Sequence, residues 1–202
     1  DEDGGADSST VVNLGNGDDH RTTDFGYQGA SSIGDTVWWN LDGDAMVDAG
    51  EPGIEGVEVT LVFAGVDGTF GNADDLTFTA TTDANGNYLF DDLPAGTYRV
   101  TVTDGIPTGF IANHDENGGN DQTTLVVLGL LDVHVTADFG YEGNGSIGDF
   151  VFLDADGDGV EDAGEPGLPN VDVQLTWYGV DGTQGTADDV VLTTTTDGSG
   201  DY

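Results

Sequence analysis

Apolar side chains recur at every second position along much of the chain. Val57, Val59, Leu61 and Phe63 bracket Glu58 and Thr60. Tyr98, Val100 and Val102 alternate with Arg99, Thr101 and Thr103, and Val133, Val135, Ala137 and Phe139 alternate with His134, Thr136 and Asp138. A period of two marks strands with one buried face, and the Gly, Asp and Asn clusters between these stretches mark turns. Seven short strands are predicted, near 33–39, 57–63, 76–81, 87–90, 97–103, 124–128 and 133–141. No stretch has the 3.6 period of a long helix. The number and spacing of the strands predict an all-β fold, a Greek-key β-sandwich.

The pattern is also repeated. Residues 32–88 align without a gap on residues 146–202, with 32 of 57 positions identical at an offset of 114. The same offset lays residues 1–29 on 115–143, and Asp24-Phe25-Gly26-Tyr27 falls on Asp138-Phe139-Gly140-Tyr141. Self-similarity at a fixed period is the signature of a tandem array. Three pieces are expected: the C-terminal strands of a preceding repeat (1–29), a complete sandwich (33–143) and the N-terminal half of a following repeat (147–202). A window on a longer array accounts for this arrangement, and exchange of half-domains between chains is the alternative. The four-residue linkers Gly29-Ala30-Ser31-Ser32 and Gly143-Asn144-Gly145-Ser146 are short enough to make such an array semi-rigid.

Charge narrows the partners. The 202 residues hold 40 acidic groups against two Arg and no Lys, a formal charge of −38. Polyanions such as nucleic acid are repelled by such a surface. Thirty-two of the acids are Asp and eight are Glu. Asp suits turns and caps rather than helix surfaces, so the acidity is expected in loops. With 36% hydrophobic residues the chain has material for a core, unlike a disordered polyanion. The absence of Cys rules out disulfides, so another staple is expected. No apolar run is long enough to span a membrane, and no secretory leader is read.

One loop carries metal chemistry. Asp154-Ala155-Asp156-Gly157-Asp158-Gly159-Val160-Glu161-Asp162-Ala163-Gly164-Glu165 meets every position of the twelve-residue calcium-loop pattern. Ca2+ takes six to eight oxygens, here assigned to Asp154, Asp156, Asp158, Asp162, the carbonyl of Val160 and both oxygens of Glu165. The preceding repeat offers Asn40, Asp42, Asp44, Asp48, the carbonyl of Met46 and Glu51 at the same spacing. It departs twice: Asn40 carries no charge, and Ala45 replaces the glycine of the sharp turn. Weaker calcium binding is therefore expected in the first loop. Pro52 and Pro166 follow the last ligand and bias it away from helical geometry, so strands rather than helices are expected to flank both loops. A solvated acidic turn is the competing reading.

A second acidic loop recurs as Gly65-Val66-Asp67 to Asp74-Asp75 and Gly179-Val180-Asp181 to Asp188-Asp189. Two readings stand. Asp67, Asp74 and Asp75, with Asp181, Asp188 and Asp189, converge on another cation, or they cap backbone amides in a long hairpin loop. For Asp35, Asp149, Asp83, Asp197, Asp91 and Asp92 a turn or capping role is expected. His20 and His134 share a repeat position within a strand, which reads as a cross-strand or surface histidine, and His114 stands alone. Without a nucleophile, a thiol or a second histidine beside them, no catalytic constellation can be written. Trp38 and Trp39 point to opposite faces of one strand, so one is expected in the core and the other exposed or interfacial. Asn144-Gly145-Ser146 is a candidate glycosylation site at Asn144.

Taken together, Ile33-Gly34-Asp35-Thr36-Val37-Trp38, the calcium loop, Glu51-Pro52-Gly53-Ile54, Gly86-Asn87-Tyr88-Leu89-Phe90, Leu93-Pro94-Ala95-Gly96-Thr97-Tyr98 and Asp138-Phe139-Gly140-Tyr141 resemble the B-type repeats of serine-aspartate repeat surface adhesins. The resemblance covers the whole repeat. It implies an immunoglobulin-like or transthyretin-like sandwich of the collagen-adhesin B type, stiffened by calcium and stacked as a stalk on a bacterial surface. Some relatives in that wider class carry a Lys–Asn isopeptide bond, which a chain without Lys cannot form.

The expected function is structural and non-enzymatic: a calcium-binding repeat of an extracellular stalk, adhesin or filament whose partners are neighbouring copies of itself. One alternative is an adhesive module that grips host protein or glycan. Another is a salt-adapted acidic surface, with carboxylates spread over the strand faces. Residues 33–146 hold 20 acids and one Arg, a net −19. Two or three Ca2+ ions would cancel about 4 to 6 of those charges, so most of the acidity is a solubilising coat.

Overall fold

The computed structural model describes residues 9–19, 21 and 25–202. His20 and Asp24 lie outside them. Among the described residues all regular structure is β: eleven strands and no helix, hence no helix long and apolar enough to cross a membrane. Nine strands fall between residues 31 and 143: β1 (Ser31–Trp39), β2 (Glu58–Phe63), β3 (Leu76–Thr81), β4 (Asn87–Leu93), β5 (Gly96–Asp104), β6 (Phe110–Asp115), β7 (Thr123–Leu128), β8 (Val133–His134) and β9 (Phe139–Gly143). The last two, β10 (Asp172–Trp177) and β11 (Val190–Thr195), form a separate hairpin.

Two sheets face each other across one core. The first runs β4-β1-β9-β6 with β8 also on β1, and the second runs β3-β2-β5-β7. Alternation sorts their residues: Tyr98, Val100 and Val102 of β5 and Val59 and Leu61 of β2 point inward to meet Ile33, Val37, Tyr88, Phe90, Phe139 and Tyr141 from the other sheet. Fully burying one such side chain is worth about 1.5–3 kcal/mol. The first and last strands lie side by side and parallel, with Val37, Trp38 and Trp39 opposite Phe139, Gly140 and Tyr141. That pairing explains the Asp-Phe-Gly-Tyr sequence. Phe139 and Tyr141 are both 1% exposed. A Cβ on Gly140 would lie 2.8 Å from the Trp38 ring and 3.0 Å from His114 Cβ, so only glycine leaves room for the indole.

The structure departs from the sequence expectation in two strands. β6 is missing from the predicted seven because Ala112, Asn113 and His114 break its alternation, and a register shift lies between Ala112 and His114. The single strand expected over 133–141 is two. His134 is opposite Ile33 and Phe139 opposite Val37, so five steps on one side match four on the other. The surplus residue bulges out of the pairing. The buried Ala137 lies in that bulge, and its carbonyl accepts the Tyr88 hydroxyl. Ser31 and Ser32, expected in a linker, already belong to β1.

Asp138 sits in the same bulge and faces Asp35 of β1. Burial raises its pKa to about 7, helped by the charge and hydrogen bond of Asp35 and by the charge of Glu116, while the Thr36 amide opposes the rise. Asp35 is thus a strand residue packed on a second carboxyl rather than a turn residue. A carboxyl raised in the folded state binds its proton more tightly there than in the unfolded chain. Its contribution to stability is therefore lost as pH climbs from the unfolded value of about 4 through about 7. Asp138→Asn, which keeps an oxygen for the Thr36 amide, is expected to flatten the fall in melting temperature across that window and to melt several degrees higher at pH 8. Melts at saturating calcium from pH 4 to 8 check it.

Residues 9–19, 21 and 25–30 form no strand. Their counterparts β7 and β9 pair with β5 and with β1 and β6, and residues 9–19, 21 and 25–30 pair with no strand among the described residues. Phe25 and Tyr27 are accordingly 43% and 80% exposed.

Candidate metal centres

Both twelve-residue loops leave a strand-like segment and return to it. Asn40 donates its amide to the Tyr141 carbonyl at 2.8 Å, Trp39 to Pro52 at 2.9 Å, and Ile54 to Val37 at 2.8 Å. The second loop closes the same way, Leu153 to Pro166 at 3.0 Å and Leu168 to Val151 at 2.8 Å. The flanks are extended, as the prolines require. The loop ends are thereby held without any ion.

Inside each loop, side-chain oxygens turn toward the loop's own amides. Glu51 Oε1 accepts the Leu41 amide at 2.6 Å and Oε2 the Asp48 amide at 3.1 Å. Glu165 does likewise with Ala155 at 2.6 Å and Asp162 at 3.0 Å. One glutamate thus bridges start and end of the loop with both oxygens on its inner side. Asp42 and Asp44 accept from Asp44 and Met46, and Asp156 and Asp158 from Asp158 and Val160. Carboxylate oxygens of Asp42, Asp44 and Asp48 lie within 4.8 Å of one another, as do those of Asp154, Asp156 and Asp158.

Three exposed carboxylates this close repel. Each pair costs about 1 kcal/mol at 4 Å even in water. A divalent ion reverses the sign, and an all-oxygen donor set is the chemistry that Ca2+ prefers. The residues present therefore fit the ion. Asp162 stands outside the tight triplet of its loop, while its equivalent Asp48 stands inside.

The two sequence departures in the first loop have visible costs. Asn40 Oδ1 accepts the Gly43 amide at 2.7 Å, but its Nδ2 is buried without a partner. Asp154 uses both atoms: Oδ1 takes Gly157 at 2.6 Å and Oδ2 takes Gly159 at 3.0 Å. At the turn, Ala45 is held at φ 67° where Gly159 has φ 79°. A left-handed conformation costs a residue with a Cβ roughly 1–2 kcal/mol.

The second acidic loop is organised by capping. Asp74 accepts the Val66 amide at 2.9 Å, Asp75 the Gly71 amide at 2.6 Å and Asp67 the Thr69 amide at 2.8 Å. Asp188, Asp189 and Asp181 repeat these bonds with Val180, Gly185 and Thr183. The Thr186 hydroxyl, then backbone amides, hold the Asp188 carboxyl below its usual range. Among the described residues neither copy assembles three carboxylates within 4.8 Å. Asp83 and Asp197 are turn caps as expected, each accepting backbone amides that lower its pKa. Asp91 and Asp92 lie within β4, where Asp92 adopts φ 54°, rather than in a turn. His134 Nε2 meets Glu116 at 2.9 Å on the surface, and His114 lies 5.4 Å from the Trp38 ring. Asn144 is exposed, its amide bonded to Gly109 at 3.0 Å.

A sandwich whose first and last strands pair in parallel, with an acidic loop sprouting from the end of the first strand and a sequence that restarts after 114 residues, has the layout of a β-sandwich repeat module. The family model that matches is the SdrD B-like domain, over residues 31–127 and again over 145–202. The chain belongs to that family, and with it to the proteins of the cell surface. It is 35% identical to serine-aspartate repeat-containing protein E of Staphylococcus aureus (strain USA300), over 96% of this chain and 16% of that protein. The bone sialoprotein-binding protein of S. aureus (strain MRSA252) matches at the same identity and coverage. The chain thus spans about one sixth of the length of these relatives. Among solved structures, the shaft pilin spaA from Lactobacillus rhamnosus GG is similar at 14% identity with a TM-score of 0.43, covering 87% of this chain and 81% of the pilin.

Proposed function

We propose that the chain is a calcium-stiffened segment of a bacterial surface stalk, built from tandem SdrD B-like repeats over 33–143 and 147–202, with residues 1–29 derived from a preceding repeat. The observation that supports it most is the recurrence, 114 residues apart, of an oxygen-lined loop with three crowded carboxylates and a glutamate that bridges its two ends. Asn40, Asp42, Asp44, Asp48 and Glu51 with the Met46 carbonyl hold one Ca2+. Asp154, Asp156, Asp158, Asp162 and Glu165 with the Val160 carbonyl hold the other. Its work is mechanical, neighbouring repeats are its partners, and no catalysis is assigned. The placement of charge favours this over salt adaptation: of the 20 acids in residues 33–146, Asp35, Glu58, Asp91, Asp92, Asp104, Asp115 and Glu142 lie in strands and the other 13 lie in loops.

Calcium titration of the full chain, followed by calorimetry, tests it. Two loop sites of unequal affinity are expected, the tighter at 154–165. Glu165→Gln is expected to weaken that site at least tenfold. Ala45→Gly is expected to tighten the other by up to about fivefold, since relieving roughly 1 kcal/mol of turn strain is worth a factor of about five. Flat heats with the wild-type chain would sink the calcium reading.

A further inference from the structure

The nine-stranded sandwich and the stretch that follows it meet through aromatic rings. Trp39, at the end of β1, packs edge-on against Phe110 of β6 with centroids 5.1 Å apart and against Trp177 of β10 at 5.2 Å. Phe110 and Trp177 complete the triangle at 5.8 Å. A cleft of about 640 Å³ runs beside it, lined by Phe110, Ile147, Trp177 and Tyr178 among others. On the other flank Glu51 to Gly53 face Ala187 to Val190 across about 300 Å³. The tether is short as well, because Gly143 still pairs with Phe110 and the Asn144 amide is bonded to Gly109.

Trp177 is the counterpart of Phe63 at the 114-residue offset, and the loops that follow them are built alike. Gly65 and Gly179 have φ 62° and 63°, and Val66 and Val180 donate to Asp74 and Asp188 at 2.9 and 2.8 Å. Yet Val66 is 97% exposed and Val180 only 51%. The same pole is open in one copy and partly covered in the other, which lies next to a sandwich.

We propose that this triangle is a specific, metal-free joint between consecutive repeats. The pole bearing Trp39 and Phe110 receives the aromatic residue that ends the β2-type strand of the next repeat. The partner is thus another copy of the same repeat, and Phe63, half-buried on the Tyr98 ring, forms with the exposed Val66 the pole offered to a preceding copy. Edge-to-face aromatic pairs are geometrically selective and apolar, so the joint fixes an angle that a flexible tether of two or three residues would leave open. The inference goes beyond the calcium reading, since an apolar triangle needs no ion.

The test uses the full chain with dyes on cysteines introduced at the exposed Leu125 and Val191, in a protein with no native Cys. A narrow dye-to-dye distance distribution is expected, in calcium and in excess chelator alike, together with the exciton couplet of two neighbouring indoles. Trp177→Ala should broaden the distribution and abolish the couplet. Because that change also touches the β10–β11 hairpin, Trp39→Leu is the second variant, a substitution already present at the equivalent Leu153. It should broaden the distribution too. A broad wild-type distribution, broadening by chelator alone, or narrow distributions in both variants each overturns the joint. Loss of the calcium effect on melting with the joint intact would instead count only against the calcium reading.

Discussion

Stripping calcium from the chain is expected to lower its melting temperature by roughly 10–20 °C. A ligand at one hundred times its dissociation constant adds about 2.7 kcal/mol to stability. Each kcal/mol moves the midpoint of a domain of about 100 residues by about 4–8 °C. The physical source is the crowding of Asp42, Asp44 and Asp48, and of Asp154, Asp156 and Asp158, within 4.8 Å. Without the ion those carboxylates push each loop apart, while the backbone bonds from Asn40 to Tyr141 and from Trp39 to Pro52 still close its base. The loops should loosen before the sandwich does. Monovalent salt is expected to recover only part of the loss. At 1 M the Debye length of about 3 Å is shorter than the carboxylate spacing of up to 4.8 Å, so the repulsion is largely screened, but a monovalent ion does not replace the coordination a divalent ion supplies. Melts in calcium, in chelator, and in chelator with 1 M NaCl check both parts. Full recovery by salt would mean that general charge screening, not a coordinated ion, holds the loops.

The twelve-residue acidic loops were legible in the sequence because their carboxylates are close in the chain. Twelve consecutive residues carry the whole donor set, and the turn at position 6 announces its own strain through Ala45. Strands with clean alternation, such as β2 and β5, were legible for a similar reason. What stayed hidden depends on long-range neighbours. β6 is a strand because β9 lies beside it, and its own residues carry a register shift that erases the period. The break between β8 and β9 follows from a one-residue mismatch against β1, about 100 residues away. The second acidic loop left two readings open because carboxylate spacing along a chain does not say whether oxygens turn toward one point or toward separate amides. They turn toward the amides of Val66, Thr69 and Gly71. Trp38 and Trp39 did separate as the strand period requires. Trp38 is buried against His114 and Gly140, and Trp39 is interfacial, but the identity of its partner Trp177 was not readable from either strand alone.

Truncating two isoleucines at the same repeat position is expected to give opposite results. Ile33 is fully buried among Val37, Phe90, Phe139 and the facing sheet. Ile33→Ala should cost about 2–5 kcal/mol, the range for emptying a packed core position, and lower the sandwich melt by on the order of ten degrees or more. Ile147 is 73% exposed, although residues 146–149 repeat 32–35 without a change. Ile147→Ala should move the melt by less than about 0.5 kcal/mol equivalent, as surface changes do. The difference has one cause. Ile33 is covered by the facing sheet that contains β5 and β7 and lies in one sheet with β9, whereas among the described residues the β10–β11 hairpin has no counterpart of these strands, which leaves Leu175 at 40% exposure where its equivalent Leu61 has none. Side-chain identity is constant in this pair, so the measured gap reports burial alone. Thermal melts of both variants at saturating calcium decide the matter. Equal and large losses would mean that Ile147 is buried in solution, with the β10–β11 hairpin covered by strands from outside residues 147–202.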